Sequence, residues 1–296
     1  MKDAPLKQRL IDAYNDLSPQ MKLAARFILD RPREVAILSM REQAKAAGVR
    51  PATMTRLAQQ LELEGYDTIR ALYAEAVRGG AFDFVSRADQ KLGDQKLKGD
   101  QGLVAEMAAM LSSQIGQLAQ SEAREAIAAA AECIASGRRI YCLGMRSSFA
   151  PAWHFHYVLS LVREGVILLD GMAGTGIDSL RNAASDDVIL VISISPYTRA
   201  TVEAVDYAAA RGVRVVAITD SPVAPVAEAA EHCIQITTES PSFFHSMAPA
   251  FAAAETLASV VAGRGGSNAL ATLEQAEAQL NALEVHCDPR NRRKNI

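Results

Sequence analysis

Ser193, Ser195 and Thr198 place three hydroxyls within six residues, directly behind the apolar run Val188–Ile192. That run is too short for a free-standing helix and rich in β-branched side chains, which predicts a strand buried on both faces, as in a parallel sheet. An Ala/Val/Glu pattern of helical type follows over Thr201–Ala210. The hydroxyls therefore stand where a strand hands over to a helix N-terminus. Backbone N–H groups and the helix dipole point the same way there, which suits an anion. A second turn of similar make, Gly144-Met145-Arg146-Ser147-Ser148, follows Ile140–Leu143 and adds a guanidinium. Hydroxyls, amides and one arginine are the groups that recognise phosphate. No G-x-x-x-x-G-K-[ST] is present, and no G-x-G-x-x-G follows the first strand. Nucleoside triphosphates and dinucleotides are thereby disfavoured, and no cofactor is expected. Plain helix capping by the same serines is the competing explanation, but three hydroxyls in one short turn exceed what a cap requires.

The elements that must hold these turns alternate. Strands are predicted at 140–144, 166–170, 188–193, 213–219 and 233–237. Helices are predicted at 150–162, near 176–183, and at 199–210, 223–230, 247–262 and 269–285, with two more between 102 and 135. Strict alternation with apolar strands implies a doubly wound α/β fold on a parallel five-stranded sheet with right-handed connections. In a flavodoxin-like order, 2-1-3-4-5, ligands bind beyond the carboxyl ends of strands 1 and 3, where the two hydroxyl turns face each other.

The N-terminal stretch differs. Apolar positions recur at helical spacing over 5–15 and 19–30, and Ser18-Pro19 is an N-cap with proline at the first helical position. Ser39 and Glu42 form a capping-box pattern. Gly48 ends that short helix, and Pro51 opens the next, on which Ala52, Leu57 and Leu61 are expected to pack inwards. Two short helices joined by a glycine turn make a helix-turn-helix outline. Arg50, Thr53, Thr55, Arg56 and Gln59 fall on its polar side, where a recognition helix meets base edges and phosphates of double-stranded DNA. An ordinary αα-hairpin with solvated charges has the same outline. A closing helix is expected over 66–78.

Residues 79–100 carry Gly79, Gly80, Gly93 and Gly99 among Lys and Asp, a linker composition. The expected organisation is an all-α module (1–78), a linker (79–100), the α/β domain (101–287) and a basic tail (288–296). Residues 1–78 hold 13 Lys/Arg against 10 Asp/Glu, a net of +3, whereas 79–296 hold 18 against 24, a net of −6. A basic module on an acidic body fits contact with nucleic acid at one end. No apolar leader and no apolar run near membrane-spanning length is found, and Cys133, Cys142, Cys233 and Cys287 lack metal or redox spacing. A reduced, cytoplasmic protein without membrane contact or metal centre is expected. His154 and His156, at i and i+2 on a helix, point to different sides and suit no shared metal.

Gly-Met-Arg-Ser-Ser, then Ile-Ser-Ile-Ser-Pro-Tyr-Thr, then Ala-Ile-Thr-Asp-Ser-Pro resemble the successive motifs of a SIS (sugar isomerase) domain. A helix-turn-helix joined to such a domain resembles the MurR/RpiR family of bacterial transcriptional regulators, over about residues 5–285. The resemblance implies that Ser148, Ser193, Ser195 and Thr198, with Ser147 in the same turn, hold the phosphate of a sugar. It also implies that Arg50, Thr53, Thr55 and Arg56 lie on the recognition helix. Arg146 stands where the family often has glycine. Ser195-Pro196-Tyr197-Thr198 replaces the Ser-Gly-Glu-Thr usual in sugar isomerases, and Pro196 donates no hydrogen bond. An isomerase would need a base and often a histidine. Glu239, placed where isomerases of this fold keep a glutamate, and His245 are the candidates; in a sensor they would recognise sugar hydroxyls. The function expected is a homodimeric or homotetrameric regulator that reads an operator and responds to a phosphosugar or sugar acid.

Overall fold

The computed structural model describes residues 6–78, 84–171 and 175–286; the expected basic tail and Cys287 lie outside them. The chain forms two compact units, one of residues 1–110 with 239–245, the other of 111–238 with 246–296.

In the first unit α1 (Leu6–Ala13), α2 (Pro19–Asp30) and α3 (Pro32–Ile37) precede α4 (Met40–Ala46), α5 (Pro51–Gln60) and α6 (Tyr66–Arg78). The Ser18 hydroxyl accepts the Met21 N–H, and Pro19 starts α2, as a cap followed by proline requires. The Ser39–Glu42 capping box closes α4, with the Ser39 N–H donating to Glu42 at 2.8 Å. Those bonds, the Ser39 hydroxyl's first, hold the Glu42 carboxyl below its usual range. Gly48 turns the chain at φ 68°, a left-handed conformation that suits glycine. On α5 the buried residues are Met54, Leu57 and Ala58, followed by Leu61. These positions, i, i+3, i+4 and i+7, make one helix face. Ala52 lies two residues off that phase and is exposed, contrary to the inward packing expected from the sequence.

A buried amide fastens these helices. The Gln43 side chain donates to Val35 O at 3.0 Å and Leu38 O at 2.8 Å, and it accepts the Tyr66 hydroxyl at 2.6 Å. Arg70 Nε adds a bond to Leu38 O at 3.1 Å. The last carbonyls of α3, which have no partner within their own helix, are satisfied from α4 and α6.

Residues 84–100, which the composition marks as part of a linker, are helical. They belong to α7 (Phe84–Gly116), interrupted only at Gly99, where φ is 70°. Leu, Lys, Gln and Ala are good helix formers, and isolated glycines cost a helix only about 1 kcal/mol each.

The second unit contains α8 (Ser121–Ser136), β1 (Ile140–Gly144), α9 (Phe149–Ser160), β2 (Val166–Leu169), β3 (Val188–Ser193), α10 (Arg199–Ala210) and β4 (Arg214–Thr219). It continues with α11 (Pro225–Glu228), β5 (His232–Gln235), α12 (Ala248–Arg264) and α13 (Gly266–Ala282). All pairings are parallel, in the order β2-β1-β3-β4-β5. Alternate strand residues serve opposite faces. Cys142, Val188, Leu190, Ile192, Val216 and Ile218 meet α8, α9 and α12, whereas Tyr141, Leu143, Ile189, Val191 and Ala217 meet α10 and α11. The expected doubly wound sheet is present.

At the amino ends of the strands the Asp187 side chain is fully buried. It accepts the Ala184 N–H at 2.9 Å, the Arg139 N–H at 3.2 Å, Arg139 Nη2 at 3.0 Å and Arg138 Nη2 at 3.1 Å. Burial pushes its pKa up, but the Arg139 hydrogen bond, the Ala184 amide and both guanidinium charges outweigh burial and hold it below the usual carboxylate range. This cluster pins β1 beside β3 at the end opposite the hydroxyl turns.

Candidate functional site

Strands β1 and β3 pair directly, with Gly144 opposite Ile192. The helix after β1 covers one face and the helix after β3 the other. The crevice between their carboxyl ends is thus the point where the winding reverses, the usual ligand position of an open α/β sheet.

On the β1 side a Cβ at Gly144 would meet the Ser148 carbonyl oxygen at 2.2 Å, so only glycine lets the turn fold back on the strand. Arg146 is exposed and holds φ 56°, the left-handed conformation a glycine would adopt without penalty. A side chain there costs roughly 1–2 kcal/mol. The resemblance expects glycine at this position; the backbone keeps the glycine shape while the residue supplies a guanidinium. Ser147 is half-buried and Ser148 buried. Ser148 is the N-cap of α9, yet its side chain makes no capping bond.

On the β3 side Ser193 is buried at the strand end, Ser195 is exposed and Thr198 half-buried. The Ser195–Pro196 peptide is cis. Thr198 is the N-cap of α10, again without a side-chain capping bond. The plain-cap explanation of these hydroxyls therefore fails at both helices. Arg199 opens α10 and pairs with Glu203 at 2.7 Å.

The sequence reading missed Asp220. Its carboxylate accepts the Ser195 N–H at 3.2 Å and lies 3.5 Å from the Thr219 hydroxyl. The signal was available, because Thr219 ends β4, the strand beside β3, so the next residue belongs to the same rim.

Glu239 and His245 fall in segment 239–245, which groups with the first compact unit rather than with the unit that carries the crevice. His245 packs against the Phe244 ring with centroids 4.1 Å apart. His154 meets the Phe251 ring at 5.9 Å, whereas His156 hydrogen-bonds the backbone of Val166, and its burial pushes its pKa down. The two imidazoles thus serve different neighbours. Cys133, Glu231 and His232 bring their donor atoms within 4.8 Å of one another. Burial pushes the Cys133 thiol up, and the nearby Arg214 charge offsets this only in part.

In the first unit Arg50 caps α5 and is exposed, as are Arg56 and Gln59, while Thr53 is half-buried. Thr55 is also half-buried, and its hydroxyl turns to the Met40 thioether at 3.7 Å, against α4. Ala52, Arg56 and Gln59 share the exposed face at i, i+4 and i+7. An alanine placed so can meet a thymine methyl, and arginine and glutamine can read purine edges. Among the described residues no helix is long and apolar enough to cross a membrane.

Residues 133–271 match the model of the SIS domain. A curated relative, the uncharacterized HTH-type transcriptional regulator YfhH of Escherichia coli (strain K12), is 24% identical over 234 residues, 78% of this chain and 81% of its own. The sugar isomerase domain of an RpiR transcription factor from Sphaerobacter thermophilus is 28% identical, with a TM-score of 0.55, over 60% of this chain and 98% of that one. Vibrio vulnificus NanR, solved with ManNAc-6P, shares the fold over 94% of this chain and 99% of its own, at 18% identity and a TM-score of 0.53.

Proposed function

We propose that this chain, whose residues 133–271 match the SIS domain and which is similar to RpiR-type regulators, binds an operator through α5 and senses a phosphorylated sugar or sugar acid between β1 and β3. The observation that carries this reading is that Ser148 and Thr198 head two helices on adjacent strands without spending their hydroxyls on capping. Donors left in that way, with the exposed Ser195 and Arg146, suit an anion whose charge also meets two helix N-termini. Ser147 and Ser193 complete the set. That the similar NanR is solved with ManNAc-6P supports the same ligand class.

On DNA, Arg50 and Arg56 contact phosphates or guanine, Gln59 reads a base edge, and Thr53 and Thr55 hold the helix in register. Pairing into a homodimer or homotetramer presents two such helices to half-sites of a near-palindrome in the cytoplasm. The effector acts through different affinities for arrangements that fit the operator and arrangements that do not.

The test is a gel-shift titration on DNA upstream of the chain's own gene and its neighbours, repeated with a panel of sugar phosphates and sugar acids. A salt-sensitive shift that one compound releases or strengthens supports the reading. Absence of any specific shift, together with turnover of a phosphosugar, overturns it.

A further inference from the structure

We propose that Asp220 limits how much negative charge the crevice accepts, by keeping its own carboxylate on a donor that an incoming anion would use. The inference rests on the crevice being the effector site. In the β3 turn Pro196 has no N–H to offer, and the Ser195 N–H is given to Asp220 Oδ1 at 3.2 Å. The Thr219 hydroxyl lies 3.5 Å from the same oxygen, so a side-chain donor of β4 also faces Asp220. Asp220 is half-buried at the rim, and no Lys or Arg pairs with it among the described residues. Its charge is therefore not neutralised within this unit.

A dianion seeking the Ser195 amide must displace this carboxylate or settle beside it. Two like charges about 4 Å apart in a half-exposed site weaken binding on the order of tenfold. Arg146, on the β1 side, supplies the opposite charge. The turn thus weighs an incoming phosphate against an internal carboxylate, and the charge of the ligand decides entry as much as its shape does.

Asp220→Asn isolates this effect, because the asparagine oxygen still accepts the Ser195 N–H while the charge is gone. Binding of inorganic phosphate to the full chain is measured by calorimetry for the wild type, Asp220→Asn, Asp220→Ala, Arg146→Ala and Asp220→Asn/Arg146→Ala. The proposal expects roughly tenfold tighter binding in both Asp220 single variants, lost again in the double variant. Affinity equal to or weaker than wild type in both Asp220 single variants overturns the charge limit but leaves the crevice reading intact. Absence of phosphate binding in every form, or binding that Arg146→Ala leaves unchanged, overturns the crevice reading and the charge limit with it.

Discussion

Removing the Asp187 carboxylate should destabilise the α/β unit far more than any change in the crevice. Asp187→Ala leaves the N–H groups of Ala184 and Arg139 without their acceptor and strips two guanidiniums of their shared counter-charge. Each orphaned buried amide costs about 1–3 kcal/mol, and breaking a buried ion pair costs about 3–5 kcal/mol. These costs overlap. Arg138 is half exposed and can return to water, while Arg139, 23% exposed, is less free to do so. The lower end, about 3 kcal/mol, is expected. Trp153 is the chain's single tryptophan and sits on α9, so its fluorescence follows the unfolding of this unit alone. With a urea slope of about 2–3 kcal/mol per molar, the midpoint should fall by roughly 1 M. The pH dependence has a fixed sign. A carboxylate whose pKa is lower folded than unfolded stabilises fully above its unfolded value, about 3.9, and that contribution is lost as pH falls through the folded value. The deficit of Asp187→Ala should therefore be full at pH 7 and shrink below about pH 4. A midpoint shift worth under about 1 kcal/mol at pH 7 would refute the view that this cluster pins β1 to β3.

Arg146→Gly should be more stable than Arg146→Ala by about 1 kcal/mol in the same urea experiment, because only glycine relieves φ 56°, while both variants lose effector affinity; equal stability would remove the strain argument. Gln43→Leu should loosen the first unit by about 2 kcal/mol through the carbonyls and hydroxyl it abandons, read as faster amide exchange in α4 and α6. Arg56→Ala should weaken operator binding and reduce the salt slope by about one, with effector affinity unchanged; an unaltered slope would take Arg56 off the DNA face. Ser195→Ala should do the reverse, lowering effector affinity without changing DNA binding in the absence of effector.

The sheet was legible because β-branched runs such as Val188–Ile192 leave few other states, and strict alternation fixes a parallel order. Caps were legible for the same local reason: Ser18-Pro19 and Ser39/Glu42 act within one turn of chain. What escaped was set at longer range or by helical phase. Apolarity alone predicts an inward Ala52, although Met54, Leu57 and Ala58 define the buried phase. Residues 84–100 carry helix-forming side chains whose propensity overrides the glycines between them. The helical pattern puts Thr55 mainly towards the polar side, and only the packing of α4 reveals Met40 as its neighbour. Asp220 reaches a turn 25 residues earlier in the chain, a contact that strand order implies but local pattern does not.

One amide, Gln43, is shared by α3, α4 and α6. Bending any of these helices away from the others would strip a buried polar group of its partner. On the proposed function, the helix-turn-helix would therefore meet DNA as a rigid piece. If the chain pairs as proposed, an effector acting on such a piece would change where paired copies stand, not what each copy reads. Effector binding should then raise or lower affinity for all operators by a common factor and leave the ranking of base sequences unaltered, with half-site spacing as the one variable that it tunes.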